Sequence, residues 1–309
     1  MAGRAKTSYG AQMSNRRRNQ TRSAVNIEPG IYEIDSGTAE IRSDPFTPGA
    51  WLLLINGVES SQLIPDDPQR LGFEYMRWIA IALGFRYAPT TRLRFLHLGG
   101  GGATLARWGA DRYPNSRHTT VESDAKLTQL ARDNFGLPRS PIVKMRVGEA
   151  GQVLADTRPE GWDVIIRDVF VEQDLGHHIV PNHLTGVEAA EVAAQAVGHH
   201  GAYLINYGGP PNLNPARAEA AALAHAFEHV TLISDATMFK GRRRGNIVMI
   251  GTQTPLADTA LGGPDAFCAA LRSEPLPAQA SMGNATTNFI AGMPPATTPL
   301  LLTDSLEKP

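Results

Sequence analysis

Residues 93–124 read LRFLHLGGGGATLARWGADRYPNSRHTTVESD, and the fold turns on how they are parsed. Leu93–Leu98 is a short apolar run, as a buried strand requires, and it ends in Gly99, Gly100, Gly101 and Gly102. A helical stretch follows over roughly Thr104–Tyr113. His118–Val121 is a second strand, closed by Glu122. Glycine lets the backbone turn sharply and lets a ligand approach where a Cβ would clash. The N-terminus of the following helix aims amide hydrogens at that ligand. Glu122 stands 23 residues after Gly99, where an acid can accept both hydroxyls of a ribose. Its plainer alternative is a solvated strand end.

Outward from this unit the alternation continues. Ala125–Phe135 reads as helix, Ile142–Val147 as strand, Val164–Ile166 as strand and Leu184–Val197 as an alanine-rich helix. Ala202–Asn206 is a fifth strand and Pro215–Phe227 another helix; Val230–Ser234 and Ile247–Gly251 are closing strands with no room for a helix between them. Alternation of this kind implies a parallel sheet wrapped by helices. The closing pair implies an antiparallel edge, as in the methyltransferase variant of the Rossmann fold. The expected fold over residues 66–255 is therefore α/β and Rossmann-like, with a seven-stranded, mostly parallel sheet of the methyltransferase type.

Residues 26–65 hold the β-like runs Ile31–Ile34 and Trp51–Ile55, the second followed by the hairpin signal Asn56-Gly57, and read as a small N-terminal β subdomain. Asp66-Asp67-Pro68 supplies a helix start ahead of an apolar helix over Leu71–Leu83. Residues 256–309 form a C-terminal extension with one helix, Pro264–Ser273, and a Pro/Ala/Thr-rich remainder expected to be loose. Residues 1–25 carry Arg4, Lys6, Arg16, Arg17, Arg18 and Arg22 without one acid and read as a disordered basic tail.

Composition narrows the function. The 309 residues carry a net charge of −1, so no overall field favours nucleic acid or an anionic membrane. No run of about 18 apolar residues suits a membrane span, and the basic N-terminus lacks the apolar core of a secretory signal. The single cysteine, Cys268, forms no internal disulfide and fits a reducing cytoplasm. No His/Cys cluster has zinc spacing, so no metal is expected. His177-His178 and His199-His200 read as surface residues. Exposed edges of the small β subdomain are an aggregation liability in a monomer, so a homodimer is expected.

Two further acids end strands. Gly148-Glu149-Ala150 closes the third, where Glu149 either accepts the amino group of an adenine or neighbours a helix N-cap. Asp168 closes the fourth, where it serves either as a proton acceptor or as a loop cap.

Taken in order, these residues resemble the spermidine synthase (aminopropyltransferase) family across roughly residues 50–252. Leu98-Gly99-Gly100-Gly101-Gly102 stands for the family's G-G-G-D-G-G loop and Val121-Glu122-Ser123-Asp124 for its ribose acid. Gly148-Glu149 stands for its G-D, and Trp162–Asp168 for its fourth strand with the first aspartate of D-x-x-D-P. Asn56-Gly57 with Gln62 resembles its D-G-x-x-Q hairpin. The resemblance implies a nucleoside site built from Gly99, Gly100, Gly101, Gly102, Glu122, Glu149 and Gln62, with Asp168 catalytic and Glu74 and Asp174 facing an amine acceptor. The co-substrate implied is decarboxylated S-adenosylmethionine, or S-adenosylmethionine itself, and the acceptor is a polyamine such as putrescine.

Departures cluster on the amine contacts, of the donor's propylamine and of the acceptor. The loop aspartate that holds the donor's propylamine is Gly102 here, and Asp168 is followed by Val169, Phe170 and Val171 rather than by a second aspartate. Glu74 or Tyr75 fills part of a Y-H-E triplet, and T-Y-P-S-G reads Thr237-Met238-Phe239-Lys240-Gly241, beside Arg242, Arg243 and Arg244. Aminopropyl transfer needs a neutral amine, hence a carboxylate to take its proton, and alignment against a sulfonium that already supplies the leaving group. An aminopropyltransferase with degraded acceptor motifs ranks first. A nucleoside-binding homologue without turnover ranks next, followed by a methyltransferase with an unknown acceptor. His97 stands where methyltransferases often carry an acid.

Overall fold

The structure, a computed structural model, describes residues 27–173 and 177–297. The basic tail and Asp174 lie outside these residues. The chain opens with an antiparallel sheet of four strands in sequential order: β1 (Gly30–Ile34), β2 (Gly37–Ser43), β3 (Trp51–Ile55) and β4 (Val58–Leu63). The β3–β4 connection is the two residues Asn56 and Gly57, at φ 50° and 80°, the left-handed pair that a tight hairpin requires. Ala39, Ile41, Leu53 and Leu63 turn inward and pack on Ala106 of α2 (Thr104–Arg112) and on Leu127 and Ala131 of α3 (Ala125–Asn134). The small sheet is thereby seated against the helices that flank the glycine loop.

The central sheet orders its strands β14-β12-β13-β11-β8-β5-β6-β7. The strands β5 (Arg94–Leu98), β6 (Arg117–Glu122), β7 (Val143–Val147), β8 (Val164–Arg167) and β11 (Ala202–Gly209) run parallel, and β13 (Gly245–Thr252) is antiparallel between β11 and β12 (His229–Asp235). The central strands are apolar on both faces, as burial between helix layers demands. Phe95, Val164, Ile166, Leu204 and Val248 meet α1 (Glu74–Arg86) and α8 (Gly263–Arg272). Leu96, Leu98, Ile165, Tyr203 and Ile205 meet α4 (Ala150–Ala155), α5 (Gly186–Val197) and α6 (Asn214–Ala226). β9 (Val171–Gln173) and β10 (His177–Ile179) form a separate two-stranded ribbon after β8.

Three features depart from the sequence reading. The seven expected strands are joined by an eighth, β14 (Ala278–Ser281), which pairs antiparallel with β12. Together with α9 (Asn284–Ile290) it gives order to much of the extension expected to be loose; Phe289 of α9 stacks edge-on against Phe239 at 5.8 Å. An Ala-Gln-Ala-Ser segment carries no strand signal, and pairing with the open edge of β12 forms it. Asp66-Asp67-Pro68 does not start a helix: Asp67 accepts the Gln69 amide at 3.2 Å in a local turn, and α1 begins only at Glu74. One helical turn, α7 (Ala236–Phe239), fits between β12 and β13, capped by Asp235.

Two histidines are buried side by side in the sheet. His97 on β5 and His118 on β6 share a hydrogen bond of 3.1 Å between Nε2 and Nδ1, and Phe95 stacks on His118 at 4.4 Å. Burial pushes His97 down to about 3 and His118 well below its usual value. The unfolded chain titrates both near 6.5, so below that pH it binds protons the native state refuses, and stability falls with falling pH. The thermal midpoint is therefore predicted to be flat from pH 8 to 7 and to decline below pH 6. By pH 5 the loss from His97 is about 2 kcal/mol, and His118 adds to it in the same direction. His97→Leu should remove the His97 part of that acid dependence. An identical decline in wild type and variant would contradict this assignment.

Candidate functional site

The glycine loop leaves β5 where β8 ends. Gly99 sits at φ 91°, and a Cβ there would overlap the carbonyl oxygen of Asp168. The Asp168 amide donates to the Leu98 carbonyl at 2.8 Å, locking the two strand ends together. The amides of Gly100 and Gly101 donate to Glu122 Oε2 at 3.1 and 3.0 Å, while Oε1 accepts the Asp124 amide at 3.2 Å. Glu122 thus lies across the mouth of the loop. The Gly102 amide turns the other way and donates to Ser61 Oγ on β4 at 3.0 Å. A Cβ on Gly102 would stand 2.7 Å from Ser61 Cβ and 3.0 Å from the Phe135 ring, so the small N-terminal sheet closes directly on this corner.

Gln62 is buried beside Ser61, but its side-chain amide is committed to Asp44 and to Thr47 Oγ1 at 3.5 Å. It abuts Gly72, where a Cβ would overlap its carbonyl. In this arrangement Gln62 braces the loop after β2, and its backbone carbonyl accepts Thr104 Oγ1 at 3.4 Å at the start of α2.

Asp168 is gripped from two directions. Tyr75 Oη on α1 donates to its Oδ2 at 2.8 Å, and Asn206 Nδ2 on β11 donates to its Oδ1 at 2.9 Å. Burial pushes the carboxyl above its usual range, and the hydrogen bonds from Asn206 and Tyr75 pull against that rise. Burial and the neighbouring Asp168 charge push the Tyr75 phenol well up, so it remains a donor. Beyond Asp168 the same edge continues through β11 and β13. Gly208 lies opposite Asn246, its bare Cα facing the Phe170 ring, and Asn246 Nδ2 donates to Glu74 Oε1 at 3.1 Å. Asp168 and Glu74 are thereby placed along one lane with two amides. Neither Asn206 nor Asn246 carried a signal in the sequence; both are reached only through the β8–β11–β13 register.

The basic segment rests at the far rim. Arg243 folds back onto Asp235 at 2.7 Å, and Gly241 packs against the Pro211 carbonyl, leaving Lys240, Arg242 and Arg244 exposed. At the opposite end of the sheet Glu149 caps α4, accepting the amides of Gly151 at 2.8 Å and Gln152 at 2.7 Å, and it also meets His183 Nε2 at 2.8 Å. His183 was not legible in the sequence as a site residue. Among the described residues no group of three or more His, Cys, Asp and Glu is placed to hold a metal, and no helix is long and apolar enough to cross a membrane.

No protein-family model matches the chain. Among solved structures, a probable spermidine synthase from Corynebacterium glutamicum superposes with a TM-score of 0.82 at 37% identity, covering 92% of this chain and 100% of that one. The chain belongs to the spermidine synthase family. A polyamine aminopropyltransferase of Vibrio vulnificus is 30% identical over 118 residues, a match spanning 37% of this chain and 38% of that protein's length. A spermidine synthase in complex with the transition-state analogue AdoDATO shares the fold at a TM-score of 0.55 and 14% identity, over 80% of each chain.

Within the family, the absence of a loop aspartate at position 102 has a steric reason in this chain: Ser61 and Phe135 fill the space a side chain would need. Gly102→Asp, which restores the family's residue type, is accordingly predicted to destabilise the fold by about 1–3 kcal/mol through overpacking. The readout is the thermal midpoint. An unchanged midpoint would show that the small sheet yields at this corner.

Proposed function

We propose that the protein transfers an aminopropyl group from decarboxylated S-adenosylmethionine to an amine acceptor, with weak capture of polyamines such as putrescine. The observation that carries this reading is the placement of Asp168. It abuts the glycine loop at Gly99 and is held by two neutral donors. In this reading Glu122 accepts the ribose hydroxyls, and the cradle of Gly99–Gly102 admits the nucleoside where side chains would clash.

The acceptor arrives as an ammonium and loses a proton to Asp168. Its lone pair attacks the methylene next to the sulfonium. The carbon–sulfur bond breaks, its electrons pass to sulfur, and methylthioadenosine leaves as a neutral thioether. Burial helps by raising the proton affinity of Asp168, while Tyr75 and Asn206 fix the direction of its lone pairs. A diamine needs acids at both ends, and the lane offers Asp168 and Glu74 with amides beside each. Each charge-assisted hydrogen bond lacking relative to the family is worth about 1.5–3 kcal/mol, so two of them reduce putrescine capture by roughly two to four powers of ten. The lack of an acid at position 102 favours a second reading, in which the donor is S-adenosylmethionine itself and a methyl group is transferred.

A transfer assay with both donors, and with putrescine, spermidine and acidic acceptors, tests the proposal on wild type, Asp168→Asn and Glu122→Ala. Expected are slow aminopropyl transfer in wild type, its loss in Asp168→Asn, and methylthioadenosine binding weakened by about 1–3 kcal/mol in Glu122→Ala. Equal rates in wild type and Asp168→Asn would remove Asp168 from catalysis, and robust putrescine turnover would overturn the claim of weakness. Because Tyr75 and Asn206 both pull the Asp168 carboxyl down, Tyr75→Phe should move the acid limb of kcat/KM to higher pH.

The same reading includes a homodimer. The edge strand β1 exposes Ile31 at 76%, and Phe46 in the loop after β2 is exposed at 90%. A second copy covering these groups protects the edge. Light scattering at micromolar concentration is expected to give twice the 33.3 kDa chain mass; a monomer mass would refute it.

A further inference from the structure

Glu149 uses three of its roughly four lone-pair positions within the protein. Its Oε1 accepts the Gly151 amide and His183 Nε2, both at 2.8 Å, and its Oε2 accepts the Gln152 amide at 2.7 Å. The carboxylate is turned into the cap of α4, and the imidazole beside it is the group with an unused ring nitrogen. A carboxylate only accepts, so the bonded Nε2 carries the proton, and in the neutral ring Nδ1 is then a bare acceptor.

Gly151 shows that the imidazole belongs there. Its backbone is ordinary for a helix, so any L residue fits its dihedrals, and glycine in a helix costs stability relative to alanine. A Cβ at this position would overlap the His183 ring. The helix gives up a better residue, and the ring occupies the space. From the other side the ring is held by the short turn Asn182–Leu184, whose last carbonyl is bound by the buried Arg167 guanidinium. The pair lies at the end of β7, next to β6. The Gly148 amide donates to the Glu122 carbonyl at 2.9 Å, so a nucleoside with its ribose at Glu122 extends its base over this end of the sheet.

We infer that His183, through Nδ1, is the residue that selects a 6-aminopurine, accepting a hydrogen bond from the exocyclic amino group at the end of β7, where the Glu149 carboxylate is drawn into the helix cap. The inference rests on the nucleoside reading of the Gly99–Glu122 cradle. A 6-oxopurine would set a carbonyl lone pair against that of Nδ1 and be rejected.

Calorimetry of the full chain with 5′-methylthioadenosine and 5′-methylthioinosine tests it. Wild type is expected to prefer the amino form by roughly 10–100-fold, the worth of one hydrogen bond exchanged for a lone-pair clash. His183→Ala should cut that preference to within about threefold by weakening the amino nucleoside alone. His183→Gln, which keeps both a donor for Glu149 and an acceptor, should retain part of it. Gly151→Ala, which favours the helix but expels the ring, should lose it as His183→Ala does, with no fall in the thermal midpoint. Retention of the preference in both His183→Ala and Gly151→Ala overturns the inference. So does its retention in His183→Ala with loss in Glu149→Gln, which returns the role to the carboxylate. Equal affinity of wild type for the two nucleosides overturns the inference alone, whereas no binding of either overturns the nucleoside reading with it.

Discussion

The contact between Gly99 and the carbonyl of Asp168 is the constraint on which the rest of the structure depends. Only a residue without a Cβ, at φ 91°, lets the end of β5 lie this close to the end of β8. Two consequences follow from one missing side chain. The loop can swing its next amides back toward Glu122 at the end of β6, and Asp168 is delivered to the rim of that loop. In the proposed reading, a cradle for a ligand and an acid beside it are thus produced by a single approach of neighbouring parallel strands, at the carboxyl edge where open α/β sheets present their sites.

Around that edge the chain distributes its charges sparingly. Glu122 is satisfied by backbone amides, Asp168 by a phenol and an amide, and Glu149 by a helix cap and an imidazole. No basic side chain touches Asp168 among the described contacts, so desolvation outweighs its two hydrogen bonds and its proton affinity rises. The nearest basic residue in the chain, Arg167, points to the other face of β8. There it is wholly buried, paired with Glu219 at 2.7 Å and bound to the Leu184 carbonyl, while Glu219 accepts the Gly186 amide at 3.1 Å. The pair is made through Nη1 of Arg167, whose Nε and Nη2 are buried without a hydrogen-bond partner among the described residues. It also fastens the segment that returns after Asp168 to the strand that carries Asp168.

What was legible in the sequence was whatever repeats or punctuates. The apolar runs broken by glycine marked β5, β6 and the loop between them, and Asn56-Gly57 marked its hairpin, because these signals are local. The acids at strand ends were legible for the same reason: Glu122, Glu149 and Asp168 each close a short strand-like stretch. Residues that meet them across the fold were not. Tyr75 reaches Asp168 from a helix 93 positions earlier, and Asn206 and Asn246 come through pairing of β11 with β8 and β13. β14 was hidden because alanine, glutamine and serine have no preference for a strand until the edge of β12 supplies one. Glu149 was open between base recognition and capping. The cap is visible in the geometry, and it is what turns attention to His183.

In the proposed reading, the pattern of neutral partners bears on what an acceptor lane can select. Carboxylates recognise an ammonium by charge, whereas asparagine amides recognise shape and hydrogen-bonding sense and are indifferent to net charge. In this lane every acid is paired with an amide: Asp168 with Asn206, and Glu74 with Asn246. The amide nitrogens point at the acids, which draws down part of the negative potential an incoming cation would feel. The carbonyl of Asn206 is buried without a partner among the described residues, leaving an acceptor directed inward. The Phe170 ring lies against Gly208, opposite Asn246, and makes that side apolar. Such a lane seats one ammonium at Asp168 and offers a second only the amide-paired Glu74. Its far rim, with Lys240, Arg242 and Arg244 exposed, weakens the attraction for that second ammonium further.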